Sequence, residues 1–173
     1  MYHSAFYDML YRINRLPEWR RILRSPQPDL HMKDIEILLR AFAMLIRSED
    51  YAPSMVRFLN QFSRMCEGQT AGQNDYLENL FGTFLEKISD LPENIFVNER
   101  NNRFNIALFE ATFTGLLENA FKERRGARGK ANAGEIQALA GDREFTAAAL
   151  EGTTRTTNVT TRLERARTLL TAL

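Results

Sequence analysis

The chain has very little of what builds covalent or metal-based chemistry. One cysteine, Cys66, in 173 residues leaves no intramolecular disulfide framework and no multi-cysteine zinc cluster. Between apolar Met65 and polar Glu67, near an expected helix end, it reads as a semi-buried structural thiol. The two histidines, His3 and His31, are far apart, and neither has a second histidine or cysteine at ligand spacing, which argues against an HNH-type metal nuclease. No apolar run approaches the roughly 20 residues that a membrane span needs. The segment Met1-Tyr2-His3-Ser4-Ala5-Phe6-Tyr7-Asp8 lacks the basic-then-apolar profile of a secretory signal. Asn158-Val159-Thr160 fits the glycosylation triplet, a pattern common by chance. A cytoplasmic location is expected by elimination. Net charge is only +1, so there is no global basic bias of the kind that marks many nucleic-acid binders.

Catalytic signatures are equally scarce. Gly126-Ala127-Arg128-Gly129-Lys130 superficially resembles a phosphate loop, but the pattern needs four residues between the glycines and Ser or Thr after the lysine. Two residues stand between, and Ala131 follows, so a solvated basic loop is expected. No Gly-x-Ser-x-Gly elbow occurs, nor an Asp…Glu-x-Lys arrangement. Asp34 and Glu36 are two apart on an expected helix, where they point to different sides and cannot share a metal. Both sit in its first turn, where negative charge complements the helix dipole. No catalytic residue, metal or cofactor is assigned, and the chain alone is not expected to be an enzyme.

What is present is a hydrophobic pattern of helical period. Hydrophobic content of 44% with 26% charged residues fits a folded domain. Ala5, Phe6, Met9, Leu10 and Ile13 predict a helix over residues 4–15, with Ser4 as N-cap. Pro17 ends it and opens a short helix bearing Trp19, Ile22 and Leu23. Ile35, Leu38, Leu39, Phe42 and Leu45 mark a long helix over 33–47. Pro53 can open the next, with Met55, Val56, Leu59, Phe62 and Ser63 as its inner face. Residues 68–74 read as a flexible polar connection before a helix that buries Tyr76, Leu77, Leu80, Phe81, Phe84 and Ile88. In 92–104 only Ile95-Phe96-Val97 suggests an extended piece. Asn105 is a good N-cap for a helix over 106–122, with Phe104 and Phe109 as a hydrophobic staple. Two short helices, 135–139 and 144–150, and a last one from about 158 to 170 complete an all-α fold. We expect a single domain over 1–173, an irregular bundle of about six to nine helices with essentially no sheet. A sub-lobe boundary, if present, falls near 90–104 or 125–134.

Charge is unevenly placed. Lys122, Arg124, Arg125, Arg128 and Lys130 against Glu123 give a local +4, and Arg155, Arg162, Arg165 and Arg167 against Glu164 give +3. Residues 66–99 carry about −6. Such polarity can orient a protein on nucleic acid or a charged partner, although solvated helix faces explain either basic cluster taken alone. If the fold unites them, Lys122, Arg124, Arg125, Arg128, Lys130, Arg162 and Arg165 form a surface for DNA phosphates, with the acidic stretch facing away.

Several segments together carry a family likeness: Phe6-Tyr7-Asp8-Met9-Leu10 with Asn14; Pro17-Glu18-Trp19-Arg20; the run from Met32 to Ala43, with Asp34-x-Glu36-x-x-Leu39-Arg40 and Phe42; Tyr51 with Met55 and Phe58-Leu59-Asn60; Phe104-Asn105-Ile106-Ala107-Leu108-Phe109-Glu110; and the close from Gly152 through Leu163. In this order they resemble the C-terminal helical part of bacterial proteins with a ParB-like nuclease domain, related to GmrSD-type modification-dependent restriction systems. The likeness covers most of residues 5–170. It lacks the Asp-Gly-Gln-Gln-Arg-like motif of the catalytic domain that lies upstream in that family. The resemblance therefore implies a non-catalytic accessory domain of a restriction or anti-phage protein, either a piece of a longer product or a split member. Its partner would be a ParB-like domain in cis or in trans, with DNA or a second copy as further partners. Trp19, Asp34, Glu36, Arg40 and Phe42 would be structural, Glu36 and Arg40 pairing along one helix face. Three aromatics in the first seven residues, Tyr2, Phe6 and Tyr7, are the expected partner surface. The alternative, from a different class, is a stand-alone helical interaction module such as a regulator or antitoxin-like partner.

Overall fold

The structure, a computed structural model, describes residues 4–173, and two thirds of them are helical. Helix α1 (Ala5–Asn14) begins where the Ser4 hydroxyl accepts from the Tyr7 amide at 3.3 Å. Pro17 occupies the first position of α2 (Pro17–Leu23), where its missing N–H costs no helical bond. After a loop come α3 (Lys33–Arg47), a single 3-10 turn (Ser48–Asp50) and α4 (Met55–Glu67), the last capped by Ser54. Helix α5 (Ala71–Lys87) opens with a reciprocal capping box between Thr70 and Gln73. The expected flexible connection over 68–74 is thus corrected: its second half is the first turn of α5. Glycine and asparagine composition suggested a loop, but two satisfied amides at the cap outweigh it.

A two-residue hairpin follows, β1 (Val97–Asn98) paired antiparallel with β2 (Arg103–Phe104), Val97 opposite Phe104. It is the only sheet among the described residues. The chain then enters α6 (Ile106–Lys122) through Asn105, whose side chain accepts from the Leu108 amide. The staple is in place, with the Phe104 and Phe109 rings 5.5 Å apart. Three more helices close the chain: α7 (Ala133–Gly141), α8 (Arg143–Leu150) and α9 (Thr156–Leu169), with Asp142 capping α8. The architecture is the all-α irregular bundle that the periodicity predicts. No helix among the described residues is long and apolar enough to cross a membrane.

Helix α6 is the centre of the molecule. Every residue from Leu108 to Leu117 is buried, the mark of a helix enclosed by neighbours rather than amphipathic on a surface. A lattice of aromatic rings fastens it to the N-terminal half. Phe109 lies 5.1 Å from Trp19 and 5.2 Å from Phe96, and Phe113 lies 5.5 Å from Phe42 and 5.1 Å from Phe84. Many of these contacts are edge-to-face, the arrangement the ring quadrupole favours. Trp19 also donates its indole N–H to Asn14 Oδ1 at 3.1 Å, so its polar end is satisfied. Residues 90–104 contribute Leu91, Ile95 and Phe96, and 125–134 contribute Ala127, to the same continuous core.

In α4 the inner face differs from the expected one. Val56 is 71% exposed, and Phe58 is buried in its place, so the stripe runs through 55, 58, 59, 62 and 66. Tyr51, whose ring sits 5.2 Å from Phe58, selects that register.

On its other side α6 meets α9 at Gly115, where a Cβ would lie 3.1 Å from the Ala166 Cβ and 3.2 Å from the Ala166 carbonyl carbon. Two small residues let the backbones approach. Valine at 115 would push α9 outward, and we expect Gly115→Val to destabilise the protein by about 1–3 kcal/mol in urea titrations, in the range of overpacked cores. Unchanged stability would mean that α9 is not packed against α6 at this point.

Candidate functional site

The segments around Arg20, Asp34, Arg40, Glu110 and Arg162 converge on two internal charge networks. In the first, Arg20 Nη1 lies 2.7 Å from Asp34 Oδ2, both side chains being nearly sealed from solvent. The guanidinium also donates to Asn14 Oδ1 (3.0 Å) and to the carbonyls of Ser25 (2.7 Å) and Gln27 (2.5 Å). Asp34 in turn accepts from the Asp29 amide at 2.9 Å, and Asp29 Oδ1 accepts from the His31 amide at 2.7 Å. The loop 25–32 between α2 and α3 is thereby held at several points of its backbone. It displays Leu30, 95% exposed, and Met32, which sits at φ 59°. His31 is exposed beside them.

In the second network Arg40 of α3 donates Nε to Glu110 of α6 at 2.9 Å, and Arg162 of α9 places Nη2 3.9 Å from the other carboxylate oxygen. Arg162 Nη1 donates to the carbonyls of Ala148 (2.8 Å) and Thr153 (3.0 Å), and Tyr51 donates its hydroxyl to Thr154 O at 2.6 Å. Burial pulls the Arg162 guanidinium below its ordinary pKa, and the charge of Glu110 offsets part of that. The expected Glu36–Arg40 pair does not form, and Glu36 stays exposed. Glu110 is 2% exposed, and a carboxylate enclosed in a helical core needs a cation far more than an exposed one does.

Arg162 is a correction to the expected DNA surface, since it is 1% exposed and committed to Glu110 and two carbonyls. Most other members of that surface are also engaged. Arg165 grips Asp142 through two nitrogens at 3.0 and 2.8 Å, and this holds the Asp142 carboxyl below its usual range. Arg125 binds the carbonyls of Gly126 and Leu173, each at 3.0 Å, and pairs with Glu123. Lys130 lies 2.6 Å from Asp90, and Lys122 lies 3.3 Å from Glu118. Asp90 and Glu78, which pairs with Arg12, belong to the acidic stretch, so that stretch partly neutralises bases instead of facing wholly away from them. Arg124 and Arg128 are exposed and have no ion pair among the described residues. Lys122 and Arg124 line a cleft of about 840 Å³ together with Arg47 and Met65.

The expected aromatic partner surface is also revised. Phe6 is fully buried and Tyr7 is 7% exposed. Phe6 packs 5.8 Å from Phe62, and the Tyr7 hydroxyl hydrogen-bonds the Ser63 hydroxyl at 2.9 Å. Both serve the junction of α1 with α4. Tyr2 and His3 lie outside the described residues. Trp19 and Phe42 are fully buried. Cys66 is 1% exposed, with burial pushing its thiol up to about 12. Among the described residues no group of three or more His, Cys, Asp or Glu is placed to hold a metal ion. No family model matches the chain, and neither a curated protein nor a solved structure matches it.

Two expectations follow from these side chains. Glu110→Ala leaves two arginines facing each other in the core and should cost about 3–5 kcal/mol in chemical denaturation, the cost of breaking a buried pair. Replacing Arg40, Glu110 and Arg162 together with Met, Leu and Met should recover most of that loss; a triple variant no better than Glu110→Ala would refute the account. Cys66, enclosed and protonated at pH 8, should resist iodoacetamide in the folded protein and react readily in urea, as mass spectrometry can show.

Proposed function

We propose that this chain is a non-catalytic helical accessory domain of a ParB-like-nuclease restriction or anti-phage protein, which supports the catalytic domain by docking to it in cis or in trans. The likeness of its segments to that family names the partner. The observation that carries the reading is the use to which Arg20 and Asp34, from two of the resembling segments, are put. Arg20 and Asp34 join across α2 and α3 and fix loop 25–32, which displays Leu30 almost wholly to solvent. Exposed apolar residues are ordinary when scattered singly on mobile surface. A leucine on a loop tied down by buried charges is a different case, because the ordering entropy that binding normally costs has already been met in folding. Pro26 and Pro28 stiffen the same loop, and Met32 adds a second, adaptable apolar contact.

Any contribution to DNA-backbone contact in the full assembly falls to the exposed Lys122, Arg124, Arg128 and Lys130, because Arg125, Arg162 and Arg165 are bound internally.

The test is calorimetric titration of this chain with the ParB-like domain encoded in the same reading frame or operon. Leu30→Asp should weaken binding at least tenfold without lowering the melting temperature, since Leu30 has almost no packing to lose. Absence of binding by the unaltered chain, or binding indifferent to Leu30→Asp, would overturn the proposal.

A further inference from the structure

The cleft beside Arg124 has no part in the docking reading, and its walls have a consistent chemistry. It is about 840 Å³, within the range of sites that enclose small ligands. Arg47 enters from the end of α3, Lys122 from the last turn of α6, and Arg124 from just beyond it, while no carboxylate lines the space. Arg47 is partly engaged, with Asp50 at 3.3 Å and the Met65 sulfur at 3.2 Å. Lys122 shares Glu118 with Arg167, which holds it more closely, at 2.7 Å. Arg124 has no ion pair among the described residues. The first turn of α5 borders the same space and adds the positive end of a helix dipole.

One wall is aromatic. Tyr76 and Phe121 lie 6.3 Å apart with their planes inclined by 37°. The Tyr76 ring is fixed because its hydroxyl donates to the carbonyls of Ala120 (3.2 Å) and Arg125 (3.1 Å). Gln69 also lines the space.

The backbone fixes where Arg124 stands. Helix α6 ends in a Schellman motif: Arg125 N donates to Ala120 O at 3.0 Å, and Arg124 N to Phe121 O at 3.1 Å. The residue between helix and loop must then be left-handed, and Arg124 has φ 50°. Glycine is the usual occupant because any Cβ is strained there. Helix α2 ends in the same way at Arg24, with φ 52°; what distinguishes Arg124 is that it lines this cation-rich cleft with no ion pair among the described residues.

We propose that this cleft binds a nucleoside phosphate, its phosphates on Arg124, Lys122 and Arg47 and its base against Tyr76 and Phe121. The site lies apart from Leu30. Arg47 and loop 25–32 are at opposite ends of α3, a helix of 15 residues that spans roughly 22 Å at 1.5 Å per residue, so either assignment can fail without the other.

The full chain is titrated with ADP in low salt without divalent metal, by calorimetry and by melting temperature. Saturable one-site binding is expected, with adenosine and inorganic phosphate each at least tenfold weaker than ADP. Two variants separate function from folding. A Cβ at Gly72 meets nothing within 4 Å, so Gly72→Leu should leave the melting temperature unchanged or higher while occluding the cleft and abolishing binding. Arg124→Gly relieves the left-handed strain and should raise the melting temperature, yet weaken ADP at least tenfold. No saturable binding of ADP, phosphate binding as tightly as ADP, or binding that survives both variants would overturn the proposal.

Discussion

Glu110 is a carboxylate placed in the middle of a helix that is otherwise enclosed by apolar neighbours, and much of the packing answers to it. An ion taken out of water loses several kcal/mol of hydration, which only close opposite charge and hydrogen bonds can offset. Arg40 reaches it from α3 at 2.9 Å and Arg162 from α9 at 3.9 Å. Because α6 is buried on all sides, apolar contact alone would tolerate rotations and slips of its neighbours; a charge pair does not. The cluster therefore defines the register of three helices. Arg162 extends the constraint outward by binding the Ala148 and Thr153 carbonyls, which ties the end of α8 and the turn before α9 to the same point. Whether such a group is net stabilising against an apolar substitute is a separate matter from the specificity it confers, and the triple replacement distinguishes the two.

The rest of the molecule uses charge in the same manner. Arg20 and Asp34 bind each other and then the backbone of loop 25–32. Arg125 binds the Leu173 carbonyl and so holds the C-terminal residue against the end of α6. Arg165 closes on Asp142, the cap of α8. Such side chains fix loops and ends that cannot contribute a hydrophobic face. The consequence for function is a contrast. Several arginines are directed inward or paired in this way, whereas Arg124 has no ion pair among the described residues and lines the cleft at the end of α6.

The order and type of the helices were legible because several independent signals agreed at each place. At 105–109 the cap residue, the staple and the helical period all pointed to one start, and at Pro17 ring geometry and periodicity coincided. Legibility failed where a local signal was weak or a three-dimensional fact was needed. The Thr70-x-x-Gln73 capping box was present in the sequence, but the glycines and asparagine around it suggested a loop. Val56 and Phe58 are both apolar, and only Tyr51 packed at 5.2 Å decides between them. Counting arginines in 155–167 treated Arg162 as surface, although it shares a helical stripe with Val159, Leu163 and Ala166 that should have marked it as inward. Glu110 was visible too, as a single charge inside an apolar run from Leu108 to Leu117. Its partners were not, because they lie 70 and 52 positions away in the chain. The cleft was illegible for the same reason: Arg47, Gln69, Tyr76 and Arg124 meet only after α3, α5 and α6 have packed.

The two proposed surfaces occupy opposite ends of one helix, which raises the question of whether they communicate. Coupling between sites requires an element with two arrangements that both ligands bias. Helix α3 is a poor candidate for such an element. It is anchored near its start by Asp34 to Arg20 and near its middle by Arg40 to Glu110, and just beyond the second point Phe42 packs against the Phe6 and Phe113 rings. Sliding or rotating it would break two buried ion pairs and an aromatic cluster at once. A rod fixed at that many points carries no signal along its length. The protein is therefore better understood as a rigid frame that presents a docking loop at one end and a ligand cleft at the other. Occupancy of the cleft would affect an assembled partner only if that partner itself reached the cleft.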